Sequence, residues 1–570
     1  MGRLDSEVRN WKIEDATQGP SHGSVRTYYS NRLPSYPQQV FYSLSIKVSC
    51  KPNKAWCMIE VIYCILSSFI LVKPMYEHLE TAANPENLKR VVIDPVTRVE
   101  GHGKVTLLLD EDNHVKQARL HIVEFRGFER FIQGRPYWEL PVLVQRLCGI
   151  CPVSHHLAAA KAVDQLVGVD QLTPAADKLR RLMHLGQTLQ SHALHFFHLS
   201  TPDLLFGFDD EAAHRNIVSV LSDSRFAETG LKGVKLRKYG QEVIRMISGK
   251  RIHGTAAIAG GMNKALSKED RDYLLEDINE VILWSKEVVG LIKSIYLSNE
   301  EYHRHFGAFP SNFMSIIRND GALDLYHGGL RARDEKGQTI FDHVDYRDYP
   351  QYLREEVRSW SYMKFPYIVE LGRENGWYRV GPLARINNAD FITTPLAEAA
   401  RADFKANNQG APVHESLAYH WARMIEMLYS AEGIKELLND PDVLSNDLVT
   451  TGEKRMEGVG VIEAPRGTLF HHYQIDENDI VVKANLIVST TNNNQAMNEA
   501  VRSVAARYLD GNEITEGLLN HLEVAIRAYD PCLSCATHAL GKMPLELELV
   551  NAEGTQIDKM TRGSDGKIGR

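Results

Sequence analysis

The stretch Arg-Leu-Cys-Gly-Ile-Cys-Pro-Val-Ser-His, residues 146–155, carries one Cys-x-x-Cys pair, and Asp-Pro-Cys-Leu-Ser-Cys-Ala-Thr-His, residues 530–538, carries a second. Together they hold four of the seven cysteines in the 570-residue chain. Thiolate is a soft ligand, and four thiolates brought together select a transition metal or a cluster over Mg²⁺ or Ca²⁺. If the fold brings the two pairs together, it is built around a metal.

The spacing of the two pairs leaves three kinds of site open: structural zinc, a pair of redox dithiols, and a catalytic metal or cluster. Structural zinc pairs usually enclose about 15–20 residues, but closing the much longer loop costs only about 2–3 kcal/mol more. The flanking residues Arg146, His155, Asp530 and His538 favour a reactive metal, which needs side chains around it that orient and tune its thiolates.

The composition is that of an ordinary globular protein, with 44% hydrophobic and 24% charged residues. A net charge of −8 gives no reason to expect nucleic acid as a partner. Residues 1–74 are rich in Ser, Tyr and Pro and hold the other three cysteines; we expect a dispensable extension or an upstream start-site error. The apolar run Val61–Val72 is too short to span a bilayer. Sparse cysteines indicate a reducing compartment, the cytoplasm.

Hydrophobic periodicity predicts a mainly α protein with α+β elements. Strand-like runs occupy residues 90–125 and 454–490, and helical patterns occupy 173–200, 268–305, 412–438 and 495–528. The stretch 306–350 is predicted to be loop or irregular structure. In this arrangement the two ends of the region that carries the cysteine pairs must meet in the interior of the fold.

Five ordered motifs carry a family resemblance that covers about residues 88–570. They are Asp94–His102 (Asp-Pro-Val-Thr-Arg-Val-Glu-Gly-His), Phe125–Glu129 (Phe-Arg-Gly-Phe-Glu), Arg146–His155, Glu463–Gly467 (Glu-Ala-Pro-Arg-Gly) and Asp530–His538. With them the chain resembles the large, catalytic subunit of nickel–iron hydrogenases. The sequences of His155–Lys161 and Asn485–Asn492 are most similar to those of the cytoplasmic, NAD-linked members. The resemblance implies the large-subunit fold, with central helices around a buried bimetallic site.

The resemblance also implies a ligand set. Cys148 and Cys532 would be terminal nickel ligands, and Cys151 and Cys535 would bridge nickel to an iron that carries CO and cyanide. Glu129, the Leu486 carbonyl and His538 would bind a second, hard cation, usually magnesium, whose preference for oxygen ligands suits two of the three.

Further roles follow from the same resemblance. Glu100 would transfer protons, and Arg466, fixed by Asp530, would donate hydrogen bonds to metal-bound cyanide or stabilise charge at the open site. Many members carry a second aspartate before a histidine on a helix, but Gln190-Ser-His192 has Ser191 there. His155 would hydrogen-bond a thiolate sulfur, whereas the neighbouring His156 is expected to be structural.

The tail Ala539–Arg570 would be a propeptide, removed by a maturation endopeptidase between His538 and Ala539 after chaperones insert nickel. The unprocessed alternative is an ordinary disordered C-terminus. The domain plan is therefore an extension at 1–74, a catalytic domain at 75–538 and a propeptide at 539–570.

The implied activity is reversible oxidation of H2, with electrons leaving to an iron–sulfur small subunit, because the body has no cysteines left for a cluster. NAD reduction would take place on flavin and iron–sulfur diaphorase subunits, since this chain lacks a Gly-x-Gly-x-x-Gly fingerprint. The alternatives are a deazaflavin or heterodisulfide-reductase partner, a hydrogen sensor, and a zinc-stabilised interaction protein. The related quinone-module subunit of respiratory complex I lacks the four cysteines and is disfavoured.

Overall fold

The computed structural model of the chain describes residues 77–537, 545–550, 556–562 and 568–569. All of these belong to one compact unit, residues 53–570. The predicted extension at 1–74 and the predicted cleavage site, His538 and Ala539, lie outside the described residues. Within the described part, no helix is both long and apolar enough to cross a membrane.

Helices dominate the described chain, which confirms the predicted fold class. The longer ones are α1 Pro152–Leu166, α2 Pro174–Leu194, α3 Ala227–Ser248, α4 Lys268–Ser298, α5 Pro395–Ala406, α6 Ala418–Asn439, α7 Asn494–Val504 and α8 Glu516–Ala528. The shorter ones are Phe128–Phe131, Leu140–Leu143, Thr201–Phe206, Ile217–Ser222, Glu300–His305, Tyr349–Tyr352, Gly372–Asn375, Pro382–Asn388 and Ser489–Asn492.

The sequence explains the limits of the predicted helices. The Thr173 hydroxyl caps α2 by accepting from the backbone N–H of Ala176, and Pro174 opens the first turn, where no N–H is needed. The Ser267 hydroxyl caps α4 in the same way, with the N–H of Asp270 as donor. The helix predicted at 268–305 stops at Ser298 and restarts at Glu300.

The strands are β1 Lys89–Ile93, β2 Gly103–Leu109, β3 Val115–Ile122, β4 Ala257–Ile258, β5 Gly261–Met262, β6 Asn312–Ile317, β7 Gly329–Arg333, β8 Thr339–Val344, β9 Leu353–Glu356, β10 Phe365–Ile368, β11 Tyr378–Arg379, β12 Glu457–Ala464, β13 Gly467–Ile475, β14 Val481–Ile487, β15 Leu545–Val550, β16 Gln556–Arg562 and β17 Ile568–Gly569. The sheets have the orders β1-β2-β3, β4-β5, β11-β6-β7-β8, β9-β10, β12-β13-β14 and β15-β16-β17. The strands predicted at 90–125 and 454–490 are thereby confirmed.

The prediction of irregular structure at 306–350 is wrong, because β6, β7 and β8 form an antiparallel sheet there. Every residue of β6 is buried, so it has no polar alternation to reveal it. In β7 the buried Arg331 pairs with Asp342 and Asp390, so a charged residue occupies a core position. Charge pairing across the fold therefore hides the strand pattern.

The helices and the β12-β13-β14 sheet bring the two cysteine segments together. Helix α2 packs between α3 and α6, and α6 also packs on α4. Helix α1 lies on β12, where a Cβ on Gly460 would stand 2.1 Å from the Ala158 carbonyl oxygen, so only glycine allows this approach. Cys151 immediately precedes α1, and Cys532 follows the end of α8 by four residues. The N-terminal end of α1 and the segment that follows α8 thus position the cysteines.

Candidate metal centre

The four motif cysteines form one buried cluster. Their Sγ atoms all lie within 4.8 Å of one another, with 3.2 Å between Cys148 and Cys532 and 3.7 Å between Cys151 and Cys535. None is more than 6% exposed, and none forms a disulfide. A small cavity beside the cluster is lined by three of the cysteines, His155 and Arg466. The predicted meeting of the two pairs is what the structure has.

The first cysteine loop is held rigidly by hydrogen bonds. The backbone N–H groups of Ile150 and Cys151 each donate to the Cys148 sulfur, at 3.2 Å. Side chains from other elements bind the carbonyls of residues 147, 148 and 150, at 2.8–3.3 Å; they are Arg126, Gln187, Gln190 and His253. The loop geometry therefore does not depend on a metal alone.

The thiols differ in acidity. Burial favours the neutral thiol of Cys148, yet hydrogen bonds from the other three cysteines and the charge of Arg466 place its pKa well below the usual value. Burial and the neighbouring Cys148 raise the pKa values of Cys532 and Cys535. Four thiolates in this space require a cation to compensate their charge, which is what a bound metal supplies.

Arg466 lies over the cluster in the turn between β12 and β13 and is fully buried with its acidic partner. Its Nη2 donates to Asp530 at 2.9 Å and its Nη1 to the Ser191 hydroxyl at 3.3 Å. Burial opposes the charge, but Asp530 and the cysteine thiolates raise the pKa of Arg466 well above its usual value. Ser191 thus contacts the arginine as a neutral acceptor where many relatives were expected to carry a second aspartate.

Two polar atoms of this group are buried without a hydrogen-bond partner among the described residues, Arg466 Nε and Asp530 Oδ2. A second buried guanidinium, Arg423, interacts electrostatically with both residues, and burial lowers its pKa to about 10. Sequence reasoning missed Arg423, because an arginine inside an apolar helix pattern resembles any solvated one. Buried donors and acceptors beside a cavity, with no protein partner, are suited to bind a ligand or an ordered water.

Glu100 contacts the second cysteine loop directly. Its Oε2 accepts from the Cys532 thiol at 2.9 Å and from the Ser534 N–H at 3.1 Å. The Leu533 N–H donates to the Glu100 carbonyl at 2.9 Å, within an isolated parallel β-bridge between Glu100 and Cys532. Burial and the charge of Cys148 raise the pKa of Glu100. Glu100 thus lies within hydrogen-bond distance of the cluster, and its role in proton transfer stays a prediction.

A hydrogen-bonded chain extends from Glu100 to the surface. The Ser534 hydroxyl donates to Glu124 at 2.8 Å, and Glu124 lies 2.5 Å from Nδ1 of the exposed His102. His102 closes the first of the five motifs, but nothing in its local sequence connects it with Glu124. Only the approach of the loop around residue 100 to the second cysteine loop reveals the connection.

The residues expected to bind the hard cation are only partly visible. Glu129 is buried, and its Oε1 accepts from the backbone N–H of Leu486 at 2.9 Å, so these two lie together. His538 lies outside the described residues.

His155 lines the cavity, and its Nδ1 lies 3.1 Å from His471 Nε2; its bond to a thiolate stays a prediction. His156 packs away from the cluster, bonded to the Pro141 carbonyl and the Ala257 N–H.

A family model described as nickel-dependent hydrogenase matches residues 126–209 and 315–538, and a second, described as HoxL-like, matches residues 90–125. The chain is 48% identical to the beta subunit of the NAD-reducing hydrogenase HoxS of Cupriavidus necator, over 83% of this chain and all of that protein. It is 39% identical to a corresponding F420-non-reducing hydrogenase chain of Methanothermobacter marburgensis, with the same coverage.

Solved structures give the same result. The structure of an NAD+-reducing [NiFe]-hydrogenase in the H2-reduced state is 55% identical, with a TM-score of 0.78, and covers 79% of this chain and 99% of that one. The reduced Ni-Fe-Se hydrogenase of D. vulgaris Hildenborough is 24% identical, with a TM-score of 0.64 over 79% of this chain and all of that one, and supports the fold alone.

Proposed function

Because this chain belongs to the nickel-dependent hydrogenase family and is a hydrogenase catalytic subunit, we propose that it oxidises H2 reversibly and passes the electrons through an iron–sulfur subunit toward NAD+. The observation that carries the proposal is the buried cluster of four cysteine sulfurs within 4.8 Å of one another. The higher identity to the NAD-reducing relative than to the F420-non-reducing one favours NAD+ as the acceptor. A cytoplasmic location is part of the proposal, since NAD+ is an intracellular acceptor.

The residues present fit a nickel–iron centre. Four soft sulfur donors suit both metals, and Cys148, Cys151, Cys532 and Cys535 are the residues that would hold them. The unpaired Arg466 Nε would offer a hydrogen-bond donor to a cyanide ligand of an iron that would also carry CO. When bound, the centre supplies the heterolytic splitting of H2 and the uptake of its electron pair.

The chain's own side chains carry the proton away. The Cys532 sulfur lies 2.9 Å from Glu100 Oε2, so a proton on that sulfur is within direct transfer distance of the carboxylate. From Glu100 the proton would pass through the Ser534 hydroxyl, which hydrogen-bonds to Glu100 and donates to Glu124 at 2.8 Å, and then from Glu124 to His102. The Arg466 guanidinium, held by Asp530, keeps a fixed positive charge beside the cluster and is itself no proton acceptor.

A magnesium ion is proposed beside this centre. The Glu129 carboxylate, the Leu486 carbonyl and His538 are its proposed ligands, with waters completing the preferred octahedron. The bond from the Leu486 N–H to Glu129 brings the first two together.

Electrons must leave to a partner, because the four motif cysteines are the only ones after residue 64. Large apolar side chains are exposed along the segment that leads into the first cysteine loop, a surface that would be costly in an isolated subunit. This apolar surface comprises Val123, Phe125, Phe131, Trp138 and Val142. We assign it to the iron–sulfur small subunit, with diaphorase subunits beyond it.

Maturation is proposed to end with cleavage between His538 and Ala539 by an endopeptidase, after chaperones insert nickel. The tail would otherwise remain attached three residues after Cys535, at a loop that must close over a buried site. Intact-mass measurement of active enzyme should find a C-terminal His538. Active enzyme that retains Arg570 would refute the processing step.

The activity is tested on the chain purified with its partner subunits. Wild-type protein should couple H2 oxidation to NAD+ and to a viologen dye, whereas Cys535→Ser should lose nickel and both activities. Cys57→Ser, which changes a cysteine outside the motifs, is the matched control and should keep both. Dye reduction without NAD+ reduction would reject the NAD linkage alone, and full activity in Cys535→Ser would reject the site.

A further inference from the structure

One buried carboxylate joins the two loops that meet at the cluster. Asp203, on the short helix Thr201–Phe206, is only 2% exposed. Its Oδ1 accepts from Arg98 Nη2 at 2.5 Å, and its Oδ2 accepts from Arg527 Nη1. The amide of Asn520 also donates to Oδ1, at 3.3 Å. No role at the metal centre follows for Asp203 from its place in the sequence.

The two arginines belong to the two segments that carry the reacting groups. Arg98 stands two residues before Glu100 and has a φ of +53°, a conformation that L side chains rarely adopt without compensation. Arg527 lies in the last turn of α8, five residues before Cys532, and its Nε donates to the Thr97 carbonyl at 3.3 Å. Arg98 is therefore fixed to the loop that carries Glu100, and Arg527 to the segment that leads to Cys532.

Charge explains why the carboxylate matters. The half-buried guanidinium of Arg98 and the buried guanidinium of Arg527 repel each other, and the charge of Arg527 contributes to lowering the pKa of Arg98, after burial. Asp203 lies between them and converts the repulsion into two attractions. The other nearby acid, Glu523, accepts from the Thr97 N–H at 2.5 Å and lies 3.4 Å from Arg527 Nη2. Glu523 binds the same loop but does not reach Arg98 within hydrogen-bond distance.

We propose that Asp203 is a positioning residue, which clamps Arg98 to Arg527 and so holds Glu100 against Cys532 for proton transfer. The clamp lies behind the β-bridge that sets the 2.9 Å contact between Glu100 and the Cys532 sulfur. The rate of proton transfer depends on the distance between donor and acceptor to within a few tenths of an ångström. A small separation of the two loops therefore slows it. The inference rests on the proposed function.

Asp203→Asn keeps the side-chain volume and removes the charge, and it is tested in the assembled hydrogenase. We expect nickel content to stay at the wild-type level, the H2 oxidation rate to fall about tenfold, and the solvent deuterium isotope effect on the rate to rise to about two or more. In the metal-free chain, the Leu533 amide, whose partner is the Glu100 carbonyl, should exchange with deuterium about tenfold faster.

Asp164→Asn is the matched control. Asp164 forms a buried two-bond pair with Arg180, at 2.5 and 3.0 Å, about 20 Å along α1 from Cys151. It should lower the unfolding temperature but leave Leu533 exchange and the isotope effect unchanged. If Asp203→Asn gives only this pattern, the clamp is overturned. If Asp203→Asn does not fold, Arg98→Lys provides a second test, because it removes the guanidinium that bonds to Asp203. Exchange of the Leu533 amide at the wild-type rate in Arg98→Lys would also overturn the proposal. Absence of nickel from the wild-type protein would instead reject the proposed function. The exchange measurement uses the metal-free chain, so it would still test the clamp.

Discussion

At the scale of single residues, the centre depends on charges that are buried only because they are paired. Arg466 is 2% exposed and Asp530 1%, and each would be costly to bury alone. Truncating one member of such a pair destabilises a protein by about 3–5 kcal/mol, because the other charge remains buried. The pair was expected from the motifs, whereas its contact with Ser191 required the fold.

Arg466→Ala should therefore lower the free energy of unfolding by about 3–5 kcal/mol, and the double variant Arg466→Ala/Asp530→Asn should recover much of it. Urea unfolding of the metal-free chain measures both. Arg466→Lys keeps the charge but loses the planar guanidinium with its several donors. This variant should still bind nickel, but its rate of H2 oxidation should be lower by at least about a hundredfold. A single alanine variant as stable as wild type would contradict the pairing.

Buried histidines make the stability depend on pH. Burial lowers the pKa of His156 from 6.5 to about 4, and its ring accepts the Ala257 N–H, which a second ring proton would prevent. The unfolded chain thus binds the proton first. Stability is unaffected above pH 6.5 and falls between pH 6.5 and 4, by about 2 kcal/mol at pH 5 for this one group.

His156→Gln should flatten that loss, since glutamine can donate and accept without titrating. The free energy of unfolding at pH 7.5 and pH 5, measured in urea, should differ by about 2 kcal/mol less than in wild type. His214→Gln, at a side chain 64% exposed, is the control and should leave the difference unchanged. Equal pH dependence in all three proteins would show that His156 is not buried in its neutral form.

At the scale of elements, the loop around Glu100 requires a glycine. Gly101 has a φ of +83°, and a Cβ there would lie 2.6 Å from the Ser534 nitrogen and 2.9 Å from the Leu533 side chain. Gly134 has a similar φ of +78° but open space around it. The two positions share the backbone penalty and differ only in the close approach to the second cysteine loop.

Gly101→Ala should therefore lose most nickel and activity, whereas Gly134→Ala should show only the backbone penalty of about 1 kcal/mol in thermal unfolding. Nickel per chain, by elemental analysis, is the deciding measurement. Equal nickel content in both variants would mean that the close packing of the two loops is not needed for metal binding.

Elements with a regular apolar pattern could be predicted from the sequence, and those formed by long-range pairing could not. Leu179, Leu182, Leu185 and Leu189 lie on the buried face of α2 and indicate it at helical spacing. Strand β7 places Arg331 in the core because Asp342 and Asp390 neutralise it, and nothing local reports that. Likewise, the cysteines could be found by motif, but Asp203 and Arg423 owe their places to tertiary packing.

At the scale of the whole molecule, the described residues include the buried cysteine cluster and exposed apolar side chains along the segment that leads into the first cysteine loop. Trp138 is 55% exposed in the apolar surface assigned to the small subunit. Trp138→Glu should weaken small-subunit binding at least about tenfold, since buried aromatic side chains dominate interfaces, and leave nickel in place. Val218→Glu, at a side chain 68% exposed on the helix Ile217–Ser222, is the control. Co-purification of both variants measures the effect, and unchanged binding of Trp138→Glu would contradict the assignment.

We propose that the four clustered cysteines hold nickel and iron and not zinc. Elemental analysis combined with infrared spectroscopy of the native enzyme tests it most directly. We expect nickel and iron at about one each per chain, with absorption bands of bound CO and cyanide. Zinc alone at the four cysteines, without those bands, would contradict it.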